Sequence, residues 1–522
     1  MSCSTDGCFV ALTDASHRLT TGSGASPAAP LLVSVLVAIL AALLSLHVMT
    51  PNVDVSWLLV AGERLIGGAE LHRDIIEVNP PFSVWLYMPF LYGERATGIH
   101  AETLLAFLLP LFALASLLVS GSILRRAGWL AEPASLWLLP VATLLLSWLF
   151  PGDFGQREQI ATIALLPWLA LLAARDRSPD FDAGSKWQIL LAGLGAAVFV
   201  MIKPPMAALA LAAPALWVAA MRRSLRPLFA PETLIGAAVT SGYVVYVLVF
   251  DRAFLTEVAP SLTAYYLPLR LSFMELLAIS PLVAPAFFAA VTWLFSRPQN
   301  INRASAILLI AGAGYLPGFL LMGKGWTYQA MPFLFFGPFA FFMQVERSRF
   351  SFSGSPVRSA CLLMVVALMG FFFFGSYYSP QPPPPRLAGE IVDLTGPHPT
   401  VMSIAVRLQP AHPLTRMIGA RYLSRDPALW RAHNAELLAD RQTDETARVA
   451  YLAQRDRDIA DAAARIENLR PDVVIAGGVN LAPAEAAIAA SPEIAAALLP
   501  YAIFYRDAGT TVFVRKRLPT GR

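Results

Sequence analysis

Charge is what this chain has least of. Asp, Glu, Lys and Arg supply 14% of its 522 residues, while hydrophobic residues supply 56%. Soluble domains average about 25% charged and 45–50% apolar, so a water-soluble globule is excluded: it would have no way to hide that much apolar surface. Cysteine is scarce too. Cys3, Cys8 and Cys361 build no disulfide framework; Cys361 lies in an apolar run as a small core residue, and no metal role is expected for Cys3 and Cys8. The segment from Met1 to Ala29 lacks the basic, apolar and cleavage-site order of a signal peptide, which leaves the first apolar run as a retained helix. A glycine-rich nucleotide loop is also missing, since IAGGVN at 475–480 has the wrong spacing. No nucleic-acid partner is expected.

What is present is a series of apolar runs of about 20 residues, the length that crosses a bilayer core. The runs predict eleven helices: Leu31–Met49, Thr103–Leu124, Ala134–Phe150, Gln156–Ala174, Ile189–Ile202, Pro205–Met221, Thr233–Phe250, Leu276–Phe295, Ala304–Met322, Tyr328–Val345 and Ser359–Tyr377. Loops after even-numbered spans carry Arg125 and Arg126; Arg175, Arg177 and Lys186; Arg222, Arg223 and Arg226; Arg297 and Arg303; and Arg347, Arg349 and Arg358. Loops after odd-numbered spans hold fewer bases over more sequence, so the positive-inside rule puts the first set in the cytoplasm. Reading Lys203-Pro204 as a turn between two spans keeps every later loop in register with that rule.

The resulting layout is a cytoplasmic N-terminal segment over 1–29, a transmembrane region over 30–378 with a long first outer loop at 51–102, a proline-rich linker over 379–399, and an extracytoplasmic α/β domain over 400–522. In the first loop, Trp57, Val60, Ala61 and Leu65 fall at helical spacing and PPFSVWLYMPFLYG is apolar but too short to span; two interfacial helices fit them. In the tail, VMSIAV, DVVIAGG and YAIFYRDAGTTVFVRK are β-prone, the last with DAG as a hairpin turn, and a charged helical stretch covers Asp444–Asn468.

Acids sort opposite to bases. Asp54, Glu63, Glu70, Asp74, Glu77, Asp153, Glu158, Asp251 and Glu257 all fall on the outer side, beside the polar turns GDFGQREQ, IKPP and GKGWTYQ. A lone Asp54 would be a solvated or helix-capping acid, and snorkelling accounts for any one of Arg157, Lys203 or Lys324. Together they suit one reaction class: a carboxylate as general base on an acceptor hydroxyl, with cations holding a departing phosphate.

At this point the sequence resembles the GT-C superfamily of membrane glycosyltransferases, in its protein O-mannosyltransferase and aminoarabinose-transferase-like branch. The resemblance rests on Asp54 in NVDVSW, on AGERLIGG, and on the run Asp74, Glu77, Asn79, Pro80, Pro81, Trp85 and Leu86. It implies a helical polytopic membrane fold with a small C-terminal α/β domain, a polyprenyl-phosphate sugar donor, a lipid, glycan or protein acceptor, and contact with membrane lipid. It further implies Asp54 as general base or acceptor-orienting carboxylate, Glu77 and Asn79 in the same cavity, and Asp153, Arg157 and Glu158 facing it. Val78 stands where the aminoarabinose-transferase pattern has lysine, and Val55 where the mannosyltransferase pattern has a second acid; phosphate binding then falls to Arg157, Lys203 or Lys324. Asp54 and Asp153 are possible ligands for Mg²⁺ or Mn²⁺, although no cofactor is required. Trp326 and Tyr328 are either a stack for a sugar ring or part of an interfacial aromatic belt. Arg416, Arg421 and Arg425 are either contacts for an anionic acceptor or a solvated helix face. A secondary transporter and a non-catalytic subunit of envelope-polysaccharide assembly are the alternatives; the absence of an internal repeat speaks against the transporter.

Overall fold

Inside a bilayer the backbone has no water to bond, so a spanning segment closes its hydrogen bonds within itself as a helix. The computed structural model describes residues 28–48, 52–130, 134–178, 180–182, 185–278, 302–347, 385–478 and 482–516. The predicted span Ser359–Tyr377, nearly all of Leu276–Phe295, the three cysteines and residues 379–384 of the linker lie outside the described residues. Within them, Ala28–Val48, Ala101–Arg126, Arg157–Arg177, Pro231–Phe250 and Arg303–Met322 are long and apolar enough to cross a membrane. Leu138–Trp148, Lys186–Ile202 and Pro204–Arg222 are shorter apolar helices, and Thr327–Arg347 follows them. The predicted span Ala134–Phe150 is thus shorter as an α-helix, because Ala134–Trp137 winds as a 3₁₀ turn.

Residue size sorts the faces. The Ala28–Val48 helix turns Ala38, Ala41 and Ala42 inward and leaves Leu32, Leu36 and Leu40 exposed, the pattern of a helix with protein on one side and lipid on the other. Helices meet at glycines: a Cβ on Gly195 would sit 1.9 Å from the Ala164 carbonyl oxygen, and one on Gly318 would sit 2.6 Å from Met206 Cα. Only glycine permits such backbone approach. The Arg157–Arg177 helix is the hub, its apolar window 100% buried against 17% for Pro231–Phe250. Lys203 leaves helical geometry (φ −145°, ψ 77°) and Pro204 starts the next helix, where its missing N–H costs nothing. The expected break at Lys203-Pro204 is present.

The first loop folds as Val53–Ile66, Phe82–Trp85 and Met88–Thr97. Val55 through Gly62 are buried in succession, so this first helix is covered on all sides rather than on one face. Part of its cover is the C-terminal domain, through Ala411–Met417, and part is the other two helices of the loop. That domain carries a five-stranded sheet in the order β2-β1-β3-β5-β4, from β1 (Thr400–Ser403), β2 (Arg421–Tyr422), β3 (Val473–Gly477), β4 (Tyr501–Arg506) and β5 (Thr510–Arg515). Strand β1 is parallel to β2 and β3, and β5 is antiparallel to β3 and β4. The DAG turn closes the β4–β5 hairpin as Asp507 Oδ1 accepts from the N–H groups of Gly509 (2.8 Å) and Thr510 (2.7 Å). Helix Glu445–Leu469, capped by Asp444, covers the sheet. Within the predicted linker, Pro385–Thr395 is a helix whose Leu387, Ala388 and Ile391 are buried.

Arg416 latches the domain to the bundle. It sits among three carboxylates: Nε and Nη2 donate to Glu102 (2.7 and 2.8 Å), Nη2 to Glu94 (3.0 Å) and Nη1 to Glu63. Its side chain is 7% exposed, which corrects the solvated-face reading for this residue. Arg425 donates to the Arg73 carbonyl through Nε (2.9 Å) and Nη2 (2.6 Å). Arg421 is exposed.

Candidate active site at the domain-bearing end of the bundle

The site assembles where the first helix of the loop meets the start of the hub helix. Asn52 caps Val53–Ile66: its Oδ1 accepts from the N–H groups of Asp54 (2.9 Å) and Val55 (3.4 Å), the role of an N-cap. Asp54 is therefore in the first turn without being the cap, and its carboxylate is free for other partners. Gln156 Nε2 donates both to Asp54 Oδ2 (2.9 Å) and to Asn52 Oδ1 (2.8 Å). Asn52 Nδ2 reaches the Gly152 carbonyl (3.0 Å) and Asp153 Oδ1 (3.5 Å). The turn that presents Gln156 depends on Gly155, which has φ +79° and no room for a Cβ, with Leu105 Cδ2 2.8 Å from where it would stand. Tyr87 Oη donates to the Gly155 carbonyl (2.7 Å).

Behind Asp54 lie the buried charges. Glu77 Oε2 accepts from the Trp57 indole N–H (2.5 Å), and Oε1 accepts from the Asn79 backbone N–H (2.9 Å) and from its amide (2.5 Å). Arg157 Nη1 stands 3.9 Å from Glu77 Oε1. Its Nε and Nη1 are buried without a hydrogen-bond partner. Beside it Glu158 Oε1 pairs with Lys203 Nζ at 2.5 Å, and Lys203 lies 5.1 Å from the centre of the Tyr328 ring. The hub helix is buried from its first residue, so Arg157 and Glu158 are sequestered by packing that a sequence pattern does not display.

Burial pushes the Asp54 carboxyl above its ordinary value; Arg157 and the Gln156 hydrogen bond oppose this, and Glu158 and Glu77 add to it. Burial also raises Asp153 to about 7, with Asp54 and Glu158 repelling its charge. Both carboxyls are half-buried among other acids, and loss of solvent together with like charge raises a carboxylate pKa.

Of the expected site residues, Asp54, Glu77, Asn79, Asp153, Arg157, Glu158, Lys203 and Tyr328 form this one neighbourhood. Lys324 stands apart: its Nζ donates to the carbonyls of Tyr266 (2.7 Å) and Leu269 (2.6 Å) and lies 3.9 Å from the Tyr266 ring centre. Burial lowers Lys324 to about 8, with Arg270 and Arg441 contributing. Trp326 stacks on Tyr328 (5.6 Å, 29°) and touches Tyr266 (6.2 Å). Among the described residues no group of three His, Cys, Asp or Glu side chains is placed to hold a metal; Asp54 and Asp153 are joined through Asn52 instead.

Gln156, Trp57, Tyr266 and the His72–Asp251 pair were not singled out as site residues by the sequence. Gln156 stood in a polar turn that was noted as a whole. Trp57 read only as part of an apolar face. Tyr266 belongs to a π-helical segment, Leu262–Tyr266, and its hydroxyl feels Asp54, Arg157, Glu158 and Glu77. His72 and Asp251 bond at 2.7 Å (Nδ1 to Oδ2), and His72 Nε2 also meets the Asn79 carbonyl at 3.1 Å, so the loop behind Glu77 is pinned to the far end of the Pro231–Phe250 helix.

No protein-family model matches the sequence, and no curated protein matches it significantly. Solved structures similar to it include two of one protein. ArnT from Cupriavidus metallidurans bound to undecaprenyl phosphate aligns with TM-score 0.54 at 13% identity, over 92% of this chain and 97% of that one. The same protein in its apo state aligns with TM-score 0.53 at 14% identity, again over 92% and 97%. At such identity the likeness is one of fold. The chain is a membrane-embedded helical protein that shares its fold with ArnT and carries a small C-terminal sheet.

Proposed function

We propose that this protein is a glycosyltransferase. In this reading it moves a sugar from a polyprenyl-phosphate donor to a lipid, glycan or protein hydroxyl at the outer face of a bacterial inner membrane. One observation carries the reading: a buried guanidinium, Arg157, keeps Nε and Nη1 free of hydrogen bonds close behind a carboxylate, Asp54, whose burial favours proton uptake. A buried cation with unused donors is costly unless a ligand takes them, and a phosphate takes them well. The ArnT structure of the same fold holds undecaprenyl phosphate, which makes a lipid phosphate the fitting class.

The acceptor hydroxyl bonds through its oxygen to the anomeric carbon as its proton passes to Asp54. The carbon–oxygen bond to the phosphate breaks, and the electron pair leaves with the polyprenyl phosphate. Arg157 and Lys203 stabilise the charge that develops there. Gln156 orients Asp54, and Glu158 holds Lys203. Glu77, with three donors already on its oxygens, fits a holder of Arg157 better than a proton acceptor. Lys324, spent on two carbonyls, fits an anchor of the Tyr266 loop better than a phosphate ligand. Trp326, partly exposed and stacked on Tyr328, is the surface a sugar ring would meet.

The test is reconstitution in lipid nanodiscs with undecaprenyl-phosphate sugars, measuring release of undecaprenyl phosphate. Asp54→Asn keeps the Gln156 contact and removes the base, so release should fall by about 10²–10⁴-fold at an unchanged thermal midpoint. Release at the wild-type rate from Asp54→Asn sinks the assignment.

A further inference from the structure

Glu77 and Arg157 are opposite charges, both buried, yet they stop 3.9 Å apart. The reason lies on the other side of the carboxylate. Both Glu77 oxygens are committed: Oε1 to Asn79 (2.9 and 2.5 Å) and Oε2 to the Trp57 indole N–H (2.5 Å). The indole is fixed in turn by the C-terminal domain. Its ring centre lies 5.4 Å from that of His412 and 5.9 Å from that of Tyr422, which are 5.0 Å from one another. Trp57 is 2% exposed, His412 0% and Tyr422 2%. The Tyr422 hydroxyl donates to the carbonyls of Asp426 and Pro427 (3.1 Å each), and Arg416, in the same segment as His412, is the latch residue.

We propose that Trp57 is a positioning residue that holds Glu77 back from Arg157, and that docking of the C-terminal domain sets it through His412 and Tyr422. With the indole N–H in place, the carboxylate steers the guanidinium without consuming it. Without that donor, Oε2 is an unsatisfied buried acceptor whose nearest cation is Arg157, and the two close into a short ion pair. The phosphate-binding edge is then lost to an internal partner. The C-terminal domain thereby becomes part of the site without contributing a group that touches the donor. This rests on the reading of Arg157 as the phosphate ligand.

Trp57→Phe keeps an aromatic ring against His412 and Tyr422 and removes only the donor. In nanodiscs, its affinity for undecaprenyl phosphate should fall by about tenfold at a thermal midpoint close to wild type. In the Glu77→Gln background the same substitution should change affinity little, because the neutral amide no longer captures the guanidinium. His412→Ala, which opens space beside the indole, should weaken binding in the same direction, and its effect should vanish when combined with Trp57→Phe. Wild-type affinity in Trp57→Phe, or an equal loss in the Glu77→Gln background, overturns the proposal; wild-type affinity in His412→Ala removes the domain from it. A cryo-EM structure of Trp57→Phe separates this proposal from the functional reading. Glu77 and Arg157 should move to hydrogen-bond distance whether or not the lipid phosphate binds, and an unchanged gap overturns the relay.

Discussion

The two ends of the Arg157–Arg177 helix hold buried charge in different ways. At the end away from the C-terminal domain, charge is matched to charge. Arg175 forms a two-pronged pair with Glu232 (2.6 and 3.0 Å), and Asp176 sits between Arg303 (2.7 Å) and Arg222 (3.8 Å). Each pair ties the hub to another helix. At the domain-bearing end one close pair, Glu158 with Lys203 (2.5 Å), stands beside Asp54 and Asp153, which reach amides, and Arg157, which stands off from its nearest carboxylate. Pairing of the first kind fastens helices together, since losing one partner strands the other. The second kind leaves binding capacity in place, at a cost in stability that the surrounding packing must offset.

The contrast breaks most sharply if rate and stability do not separate between the ends. Asp54→Asn gives the largest effect, on rate alone. Glu232→Gln should do the opposite, stranding Arg175 and costing about 3 kcal/mol of stability. Its thermal midpoint should drop while undecaprenyl-phosphate affinity per folded molecule holds; a loss of affinity without a loss of stability would erase the distinction. Arg157→Lys keeps the charge and discards the fork, so lipid-phosphate affinity should fall by about tenfold with little change in midpoint. Arg222→Lys, the matching exchange at the other end, should leave that affinity alone.

The smallest effect is a pH dependence. A carboxyl raised from 3.8 to about 7 by burial, as Asp153 is, binds its proton more tightly folded than unfolded. Its contribution to stability is full below the unfolded value and is lost as pH rises through about 7. Asp153→Asn should therefore flatten the thermal midpoint between about pH 4 and 7 (the span from the unfolded to the folded value), with its gain over wild type appearing on the alkaline side. Midpoint curves that run parallel would show that Asp153 is solvated.

Much of the fold was legible because membrane insertion is a local rule: a run of about 20 apolar residues must be a helix wherever it packs. The break at Lys203, the hairpin at Asp507–Gly509 and the charged helix at Glu445–Leu469 followed from equally local chemistry, namely proline, turn residues and helical patterning. The shared placement of Asp54, Glu77, Arg157 and Lys203 at one end of the bundle was expected from the same counting of spans.

What pairs with what was not local. Arg416 looked like any basic residue on a polar helix, and only the docked domain brings Glu63, Glu94 and Glu102 around it. Lys203 and Lys324 were equal candidates for a phosphate. Tertiary contacts kept one at the site, held by Glu158 beside Arg157, and spent the other on the carbonyls of Tyr266 and Leu269. Trp57 read as an apolar contact, and its N–H acquired meaning once the loop folded Glu77 back over it. The sequence by itself determined which residues enter the membrane and which chemistry gathers on one side, because hydropathy and charge act on each segment independently. The tertiary structure alone decided which buried charges are used up and which remain available, because a hydrogen bond is spent by the group that reaches it first in space.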